Sequence, residues 1–295
     1  MTDADALAAE FAEHRPALVG AAYRIVGTVA DAEDVVQEAW LRWADVQRAE
    51  VRDLRAFLVT VTTRLALNRL RQQQSRRESY VGPWLPEPVA SEKGPEQAVE
   101  IADEVSMAML VVLESLSPLE RAAFVMREVF DLPFGEIAAT LDRSEPAVRQ
   151  LVHRARSHVH ARQPRHEVDD AQHAEITTRF LQVAADGDVD GLIAMLAPDV
   201  VLIADGGGKK RAALQPLYGP ENVARWMIGV MQRPDFEDVV IRLIELNGEL
   251  AIAAYDGDRP DTVGFVEAGT EGITSLYLVR NPDKLGGVPL LSELP

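Results

Sequence analysis

The hydrophobic pattern of this 295-residue chain changes period once, and that change constrains the fold class more than any single motif. Up to about Arg162 apolar residues recur at helical spacing, and beyond a polar joint at Gln163 to Asp170 strand-like alternation takes over. The chain is therefore expected to be multidomain, with all-α domains followed by an α+β domain. In the first part, Phe11, Ala12, Leu18, Val19, Ala22 and Tyr23 make one apolar face, and Val35, Val36, Ala39, Trp40 and Trp43 make another within a helix from Ala30 to Trp43. Asp31 is placed to cap that helix, with Glu33 and Asp34 beside the positive end of its dipole. A third helix is expected from Leu54 to Arg71, with Leu58, Val61, Leu65 and Leu67 inward and Arg64, Asn68 and Arg71 on another face.

From Ser75 to Gln97 the periodicity lapses, and Gly82, Pro83, Pro86, Pro88, Gly94 and Pro95 argue against a regular helix. Helical spacing returns from about Val99 to Arg162. Further on, helices are expected at Gln172 to Ala185, Val189 to Leu196 and Asn222 to Met231. Strands are expected at Val200 to Ala204, Asp238 to Leu246, Glu249 to Tyr255, Thr262 to Val266 and Ile273 to Val279, with Asn247-Gly248 suited to a tight hairpin. The boundaries that follow are 1–77, a linker at 78–98, then 99–165 and 166–295.

The net charge of −17 at first argues against nucleic acid as a partner. Its distribution argues otherwise. Met1 to Arg165 carries 20 basic and 25 acidic residues, whereas His166 to Pro295 carries 10 and 22. Arg52 to Arg77 holds seven arginines against one aspartate, and Arg143 to Arg165 holds six against one glutamate. Screening over roughly 8 Å keeps a distant acidic domain from cancelling such stripes. The absence of cysteine excludes disulfides and thiolate metal sites, and no metal or cofactor is expected. No apolar run approaches the roughly 20 residues of a membrane helix, so the expected location is the cytoplasm, without membrane contact.

The strongest local signal is LPFGEIAATLDRSEPAVRQLVHRARS, Leu132 to Ser157. Phe134, Ile137, Ala138 and Leu141 face inward, the LDRS turn leads to Ser144 as the next N-cap, and Val148, Leu151, Val152, Ala155 and Val159 form a buried stripe. That is the pattern of a helix-turn-helix. It turns Arg149, Gln150, His153 and Arg154 outward, donors suited to base edges and phosphates in an element that fits the major groove. An arginine-rich solvated helix would share the composition but not the turn and stripe in register.

This segment resembles region 4 of bacterial sigma factors, and DAEDVVQEAWLRW (Asp31 to Trp43) with RAFLVTVTTRLALNRLR (Arg55 to Arg71) resembles region 2. The short linker is similar to the extracytoplasmic-function group. WLPEP (Trp84, Leu85, Pro86, Glu87, Pro88), DGGGK (Asp205, Gly206, Gly207, Gly208, Lys209) and NPDKL (Asn281, Pro282, Asp283, Lys284, Leu285) resemble its SigJ-type subgroup, which carries a fused SnoaL-like, NTF2-like C-terminal extension of cone shape.

The resemblance implies that Asp34, Gln37 and Glu38 dock on the clamp of the largest subunit of core RNA polymerase, with region 4 on the flap. It also implies that Arg64, Asn68 and Arg71 engage the minus-ten element of promoter DNA, and that Arg149, Gln150, His153 and Arg154 read the minus-thirty-five element. Arg64 stands where relatives usually have Asn, and Asn68 where they usually have Asp. Phe57 is expected in the core, and Trp84 as the apolar anchor of a stiff, proline-rich strip. The three short motifs together suggest an interdomain regulatory contact, an intramolecular tether in place of a separate anti-sigma factor. Some SnoaL-like domains are enzymes, and the fold implies a pocket with room for a small ligand. Here only His173 and Asp205 offer acid–base chemistry, so no catalytic residue is expected and the chain is not expected to be an enzyme. The rival reading is a DNA-binding regulator with a ligand-sensing C-terminal domain that never meets polymerase.

Overall fold

The computed structural model describes residues 3–46, 51, 53–77, 79–90, 105–162, 169–233, 236 and 238–294. The chain forms two compact units, one of residues 1–79 with 94–163 and the other of residues 80–93 with 164–295. The proline-rich strip thus belongs to the second unit, although in sequence it interrupts the first. The expected helical restart at Val99 and most of the joint at 163–170 lie outside the described residues.

In the first unit, α1 (Asp3–Val26), α2 (Val29–Ala44) and α3 (Leu54–Arg77) pack around Leu18, Tyr23, Ile25, Val36, Ala39, Leu58 and Leu70, all nearly inaccessible. Phe57, expected in the core, is half-buried and lies 5.9 Å from the buried Trp43 ring. Two expectations need correction. The third helix continues to Arg77 instead of ending at Arg71, because the first helix-breaking residue after it is Gly82. Asp31 is not the N-cap of α2: Thr28 is, and the Thr28 hydroxyl donates to the Asp31 carboxylate at 2.7 Å. Asp31 also accepts from Arg69 at 2.5 Å and from Gln73, so it ties α2 to α3. Burial would raise its pKa, but Thr28, Arg69 and Gln73 outweigh burial and hold it below the usual carboxylate range.

The second half of this unit comprises α4 (Met107–Glu114), α5 (Pro118–Glu128), α6 (Phe134–Leu141) and α7 (Glu145–Arg162). Ser117 and Glu120 form a reciprocal capping box at the start of α5, with Pro118 at the first helical position. Asp142 ends α6 in the left-handed region at φ 53°, which turns the chain sharply into α7. All five residues of the expected stripe on α7 are buried. The two halves are locked together by Arg121, 2% exposed, which donates to the Ile25 carbonyl of α1 and to Glu114, each at 2.7 Å.

The second unit carries a six-stranded sheet in the order β2-β1-β6-β5-β4-β3. Its strands are β1 (Leu196–Asp205), β2 (Leu217–Tyr218), β3 (Val240–Leu246), β4 (Glu249–Asp256), β5 (Arg259–Gly269) and β6 (Gly272–Val279). Only β1 and β6 run parallel. Leu246 pairs with Glu249 across Asn247 and Gly248, both at positive φ, the tight hairpin expected from that dipeptide. Helices α8 (Asp170–Ala185), α9 (Val189–Met195) and α10 (Pro220–Met231) cover one face, closing a core of Phe180, Leu192, Leu202, Val223, Val266 and Leu276. This is the α+β arrangement that the SnoaL-like resemblance implied. On the other face the Tyr255 hydroxyl donates to the Pro289 carbonyl at 3.2 Å, which pins the C-terminal segment to the sheet. Among the described residues no helix is long and apolar enough to cross a membrane, and no acidic or histidine cluster could hold a metal ion.

Candidate functional site

Four sets of residues carry the functional reading, three in the first unit and one in the second. Asp34, Gln37 and Glu38 are all exposed on the outer face of α2, whose opposite face is buried. Asp34 accepts from Arg69 at 3.0 Å and Glu38 from Arg42 at 2.8 Å. Leu41, one turn on, is 62% exposed, so the face is acidic with one apolar knob.

Arg64, Asn68 and Arg71 are exposed on α3, as their spacing required. Arg64 is not free, however. Its guanidinium donates to the Thr140 and Ala139 carbonyls at the C-terminal end of α6, each at 2.9 Å, and the Thr60 and Thr140 hydroxyls lie 3.1 Å apart. A cation at a helix C-terminus is well placed electrostatically. Arg64 thus adds a second link, beside Arg121, between the two halves of the unit.

On α7, Arg149, Gln150, His153 and Arg154 are all exposed. Each arginine has a partner. Arg149 lies over the Phe134 ring at 4.3 Å and pairs with Glu145, one turn before it. Arg154 donates through Nε to Glu120 at 2.6 Å. Sequence reasoning passed over Glu120, although the Ser117-Pro118-Leu119-Glu120 run is a recognisable capping signature.

The structure brings the three short motifs of the second unit together. Asp205, at the end of β1, is fully buried. Its carboxylate accepts from the Tyr80 hydroxyl at 2.5 Å, the Leu85 amide at 2.8 Å, the Gly207 amide at 3.0 Å and Lys284 Nζ at 2.6 Å. Lys284, itself 5% exposed, also donates to the Leu85 carbonyl. The ammonium sits 3.7 Å from the Trp84 ring centre and 5.3 Å from that of Tyr80, an aromatic cage completed by a carboxylate. Trp84 is thus only half-buried and serves as a cation platform. The apolar anchor expected of it is supplied by Leu85, Val89 and Ala90 instead.

Asn281 donates to the Tyr80 oxygen at 2.8 Å, and Lys209 pairs with Asp283 at 2.5 Å, both exposed. Gly207, at φ +59°, leaves room that a Cβ would contest with the Asn281 amide at 2.4 Å. Burial, and then the Asp205 carboxylate, push the Tyr80 phenol far up, so it stays a neutral donor. Farther along, the Val89 amide donates to the Asn247 side chain at 3.0 Å and Asn247 N donates back to the Val89 carbonyl at 2.8 Å. Tyr80 and Asn247 were missed as partners of the strip. Asn247 was recognised only as a turn residue.

A separate apolar cavity of about 70 Å³ lies between the sheet, α8 and α10, lined by Phe180, Trp226, Met231, Phe236 and Leu276 among others. Among the described residues the one charged residue lining it is Arg280, whose guanidinium is occupied by Asp261 at 2.7 Å, Thr262 at 2.9 Å and the Arg211 carbonyl at 2.6 Å. Neither sequence candidate for acid–base chemistry lines it. Asp205 serves the clamp, and the His173 ring sits 2.6 Å from the Val266 carbonyl.

Residues 11–76 match sigma-70 region 2, and residues 106–159 match sigma-70 region 4. The ECF RNA polymerase sigma factor SigJ of Mycobacterium tuberculosis (strain ATCC 25618 / H37Rv) is 40% identical, over 95% of this chain and 94% of that protein. The probable ECF RNA polymerase sigma factor SigI of the same strain is 36% identical, over 100% and 99%. The crystal structure of the Mycobacterium tuberculosis extracytoplasmic function sigma factor SigJ superposes with a TM-score of 0.75 at 37% identity, covering 96% of this chain and 99% of that one.

Proposed function

Because this chain belongs to the extracytoplasmic-function RNA polymerase sigma factors, it works with core RNA polymerase at promoter DNA, and we propose that its C-terminal unit governs that work through the buried Asp205–Lys284 clamp. The observation that carries the reading is the covalent position of the strip. Residues 80–90 lie in sequence between regions 2 and 4 yet are held by the C-terminal unit. Whatever holds the middle of a linker limits where its two ends can go. Such a restraint acts at an effective concentration of roughly millimolar, without a second protein. An intramolecular tether of this kind makes a separate anti-sigma factor unnecessary.

Within that frame, Asp34, Gln37 and Glu38 dock on the clamp of the largest subunit, and Asn68 and Arg71 engage the minus-ten element, while Arg64 is held by the Ala139 and Thr140 carbonyls. Arg149, Gln150, His153 and Arg154 read the minus-thirty-five element, and region 4 meets the flap. Family membership decides against a regulator that never meets polymerase. The C-terminal unit acts by holding and not by catalysis: its one buried carboxylate among the three motifs is spent on the strip, outside the apolar cavity. The cavity has room for a small ligand.

Capture of purified core enzyme by the full chain tests the docking. Joint substitution of Asp34, Gln37 and Glu38 by alanine should weaken capture at least tenfold, and undiminished capture would exclude that face. Arg149→Ala and Arg154→Ala should each cost about 1–3 kcal/mol in upstream promoter affinity at fixed salt if they reach base edges.

A further inference from the structure

We propose that Glu120 is a positioning residue for promoter reading: it fixes the Arg154 guanidinium through Nε so that both terminal nitrogens face a guanine in the major groove. The inference rests on the assignment of the α7 face to promoter DNA and adds a base and a second residue to it.

The arginines near the exposed face of α7 differ in how their acid partners hold them. Arg149 gives a terminal nitrogen to Glu145, a neighbour on the same exposed helix. Arg156 gives both Nε, at 3.0 Å, and a terminal nitrogen, at 2.8 Å, to Glu128. Arg154 gives only Nε, at 2.6 Å, and among the described residues its terminal nitrogens have no partner. A guanidinium held in this way presents the two-donor fork that matches guanine O6 and N7.

Glu120 is in turn fixed by its own helix. Its Oε2 accepts from the Ser117 amide at 3.1 Å and the Ser117 hydroxyl at 2.6 Å, which leaves Oε1 for Arg154. The Glu120 side chain is 13% exposed and that of Arg154 53%, so the anchor is half-buried and the reader is exposed. Burial acts to raise the Glu120 pKa. The Ser117 hydroxyl and Arg154 outweigh it and keep the group ionised at neutral pH.

A long arginine that must find one geometry on binding loses rotamer freedom, and a guanidinium already oriented loses less. The pairing also changes what the arginine is good for. A carboxylate beside it offsets its charge, which lowers its value as a bare attractor of phosphate and leaves its directional value intact. The pair should therefore contribute to discrimination more than to salt-dependent affinity.

The test uses full-length protein in complex with core enzyme, selecting from a duplex pool randomised across the upstream element. Wild type should favour guanine at one position, by about 5- to 100-fold for a well-placed bidentate contact. Arg154→Ala should flatten that position. Glu120→Gln should flatten the same position several-fold while holding or raising affinity for scrambled duplex. Glutamine also completes a capping box, and an unchanged melting temperature confirms that the fold is kept. In the Arg154→Ala background Glu120→Gln should have no further effect on base preference. If Glu120→Gln keeps the wild-type preference at the position that Arg154→Ala flattens, the positioning role is overturned. If Arg154→Ala flattens no position, the assignment of Arg154 to base reading fails with it.

Discussion

Single buried charges decide much of this molecule's stability, and they do so in opposite ways. Asp205 and Lys284 are paired and fully hydrogen-bonded, so removing either leaves the other stranded. Asp205→Ala should cost about 3–5 kcal/mol, read by chemical unfolding of the second unit. An unchanged midpoint would mean that the clamp does not hold. Glu267 is the contrary case. Burial alone lifts its carboxyl to about 7, so the fold favours the protonated form. Its contribution to stability is complete below its ordinary value of 4.5 and is lost as pH rises through 7. Glu267→Gln should therefore raise the melting temperature at pH 8 and leave it unchanged near pH 4. Asp261 is held down to about 2: burial opposes ionisation, but Lys210 and Arg280 prevail. Its stabilisation is present above its ordinary 3.8 and fades as pH falls toward 2. The sequence could reveal none of these partners directly. It marked Asp205, Asn281 and Lys284 as members of motifs, but spacing along a chain does not say that an ammonium will sit between two rings 200 residues away in sequence.

At the level of elements, periodicity was an adequate guide wherever an element buries one face. All five inward residues of α7 were legible, as were both strands of the β3–β4 hairpin with its turn. Boundaries fared less well. β1 begins at Leu196 and β5 runs from Arg259 to Gly269, both longer than the alternation suggested, because the added stretches include exposed or half-buried residues, Pro198 and Asp199 in β1 and Arg259 to Asp261 in β5, that carry no alternating apolar signal. The contact between α3 and the end of α6 was not legible at all. Arg64 was read as facing DNA, yet its donors already have two carbonyls. Arg64→Ala should lower the stability of the first unit by about 1 kcal/mol, a modest figure for an exposed pair of hydrogen bonds. Methyl protons at the α3–α6 contact should shift at the same time, as nuclear magnetic resonance can follow. No change in either would mean that Arg64 is free to reach DNA from the start.

For the whole molecule, a net −17 proved compatible with two arginine-rich faces because the acidic excess is concentrated after residue 165. The expectation that the three motifs meet was legible as a coincidence of rare short runs. What they do when they meet, a carboxylate gripping a linker, needed coordinates. The central claim is that residues 164–295 govern initiation by regions 2 and 4 through the strip they hold. Run-off transcription with purified core enzyme, on a promoter selected by the full-chain holoenzyme, tests this by comparing the full chain with one ending at Gln163. The account predicts promoter-dependent transcripts from the full chain and output altered several-fold on truncation. Indistinguishable output from the two, or no promoter-dependent transcript from the full chain, would contradict it.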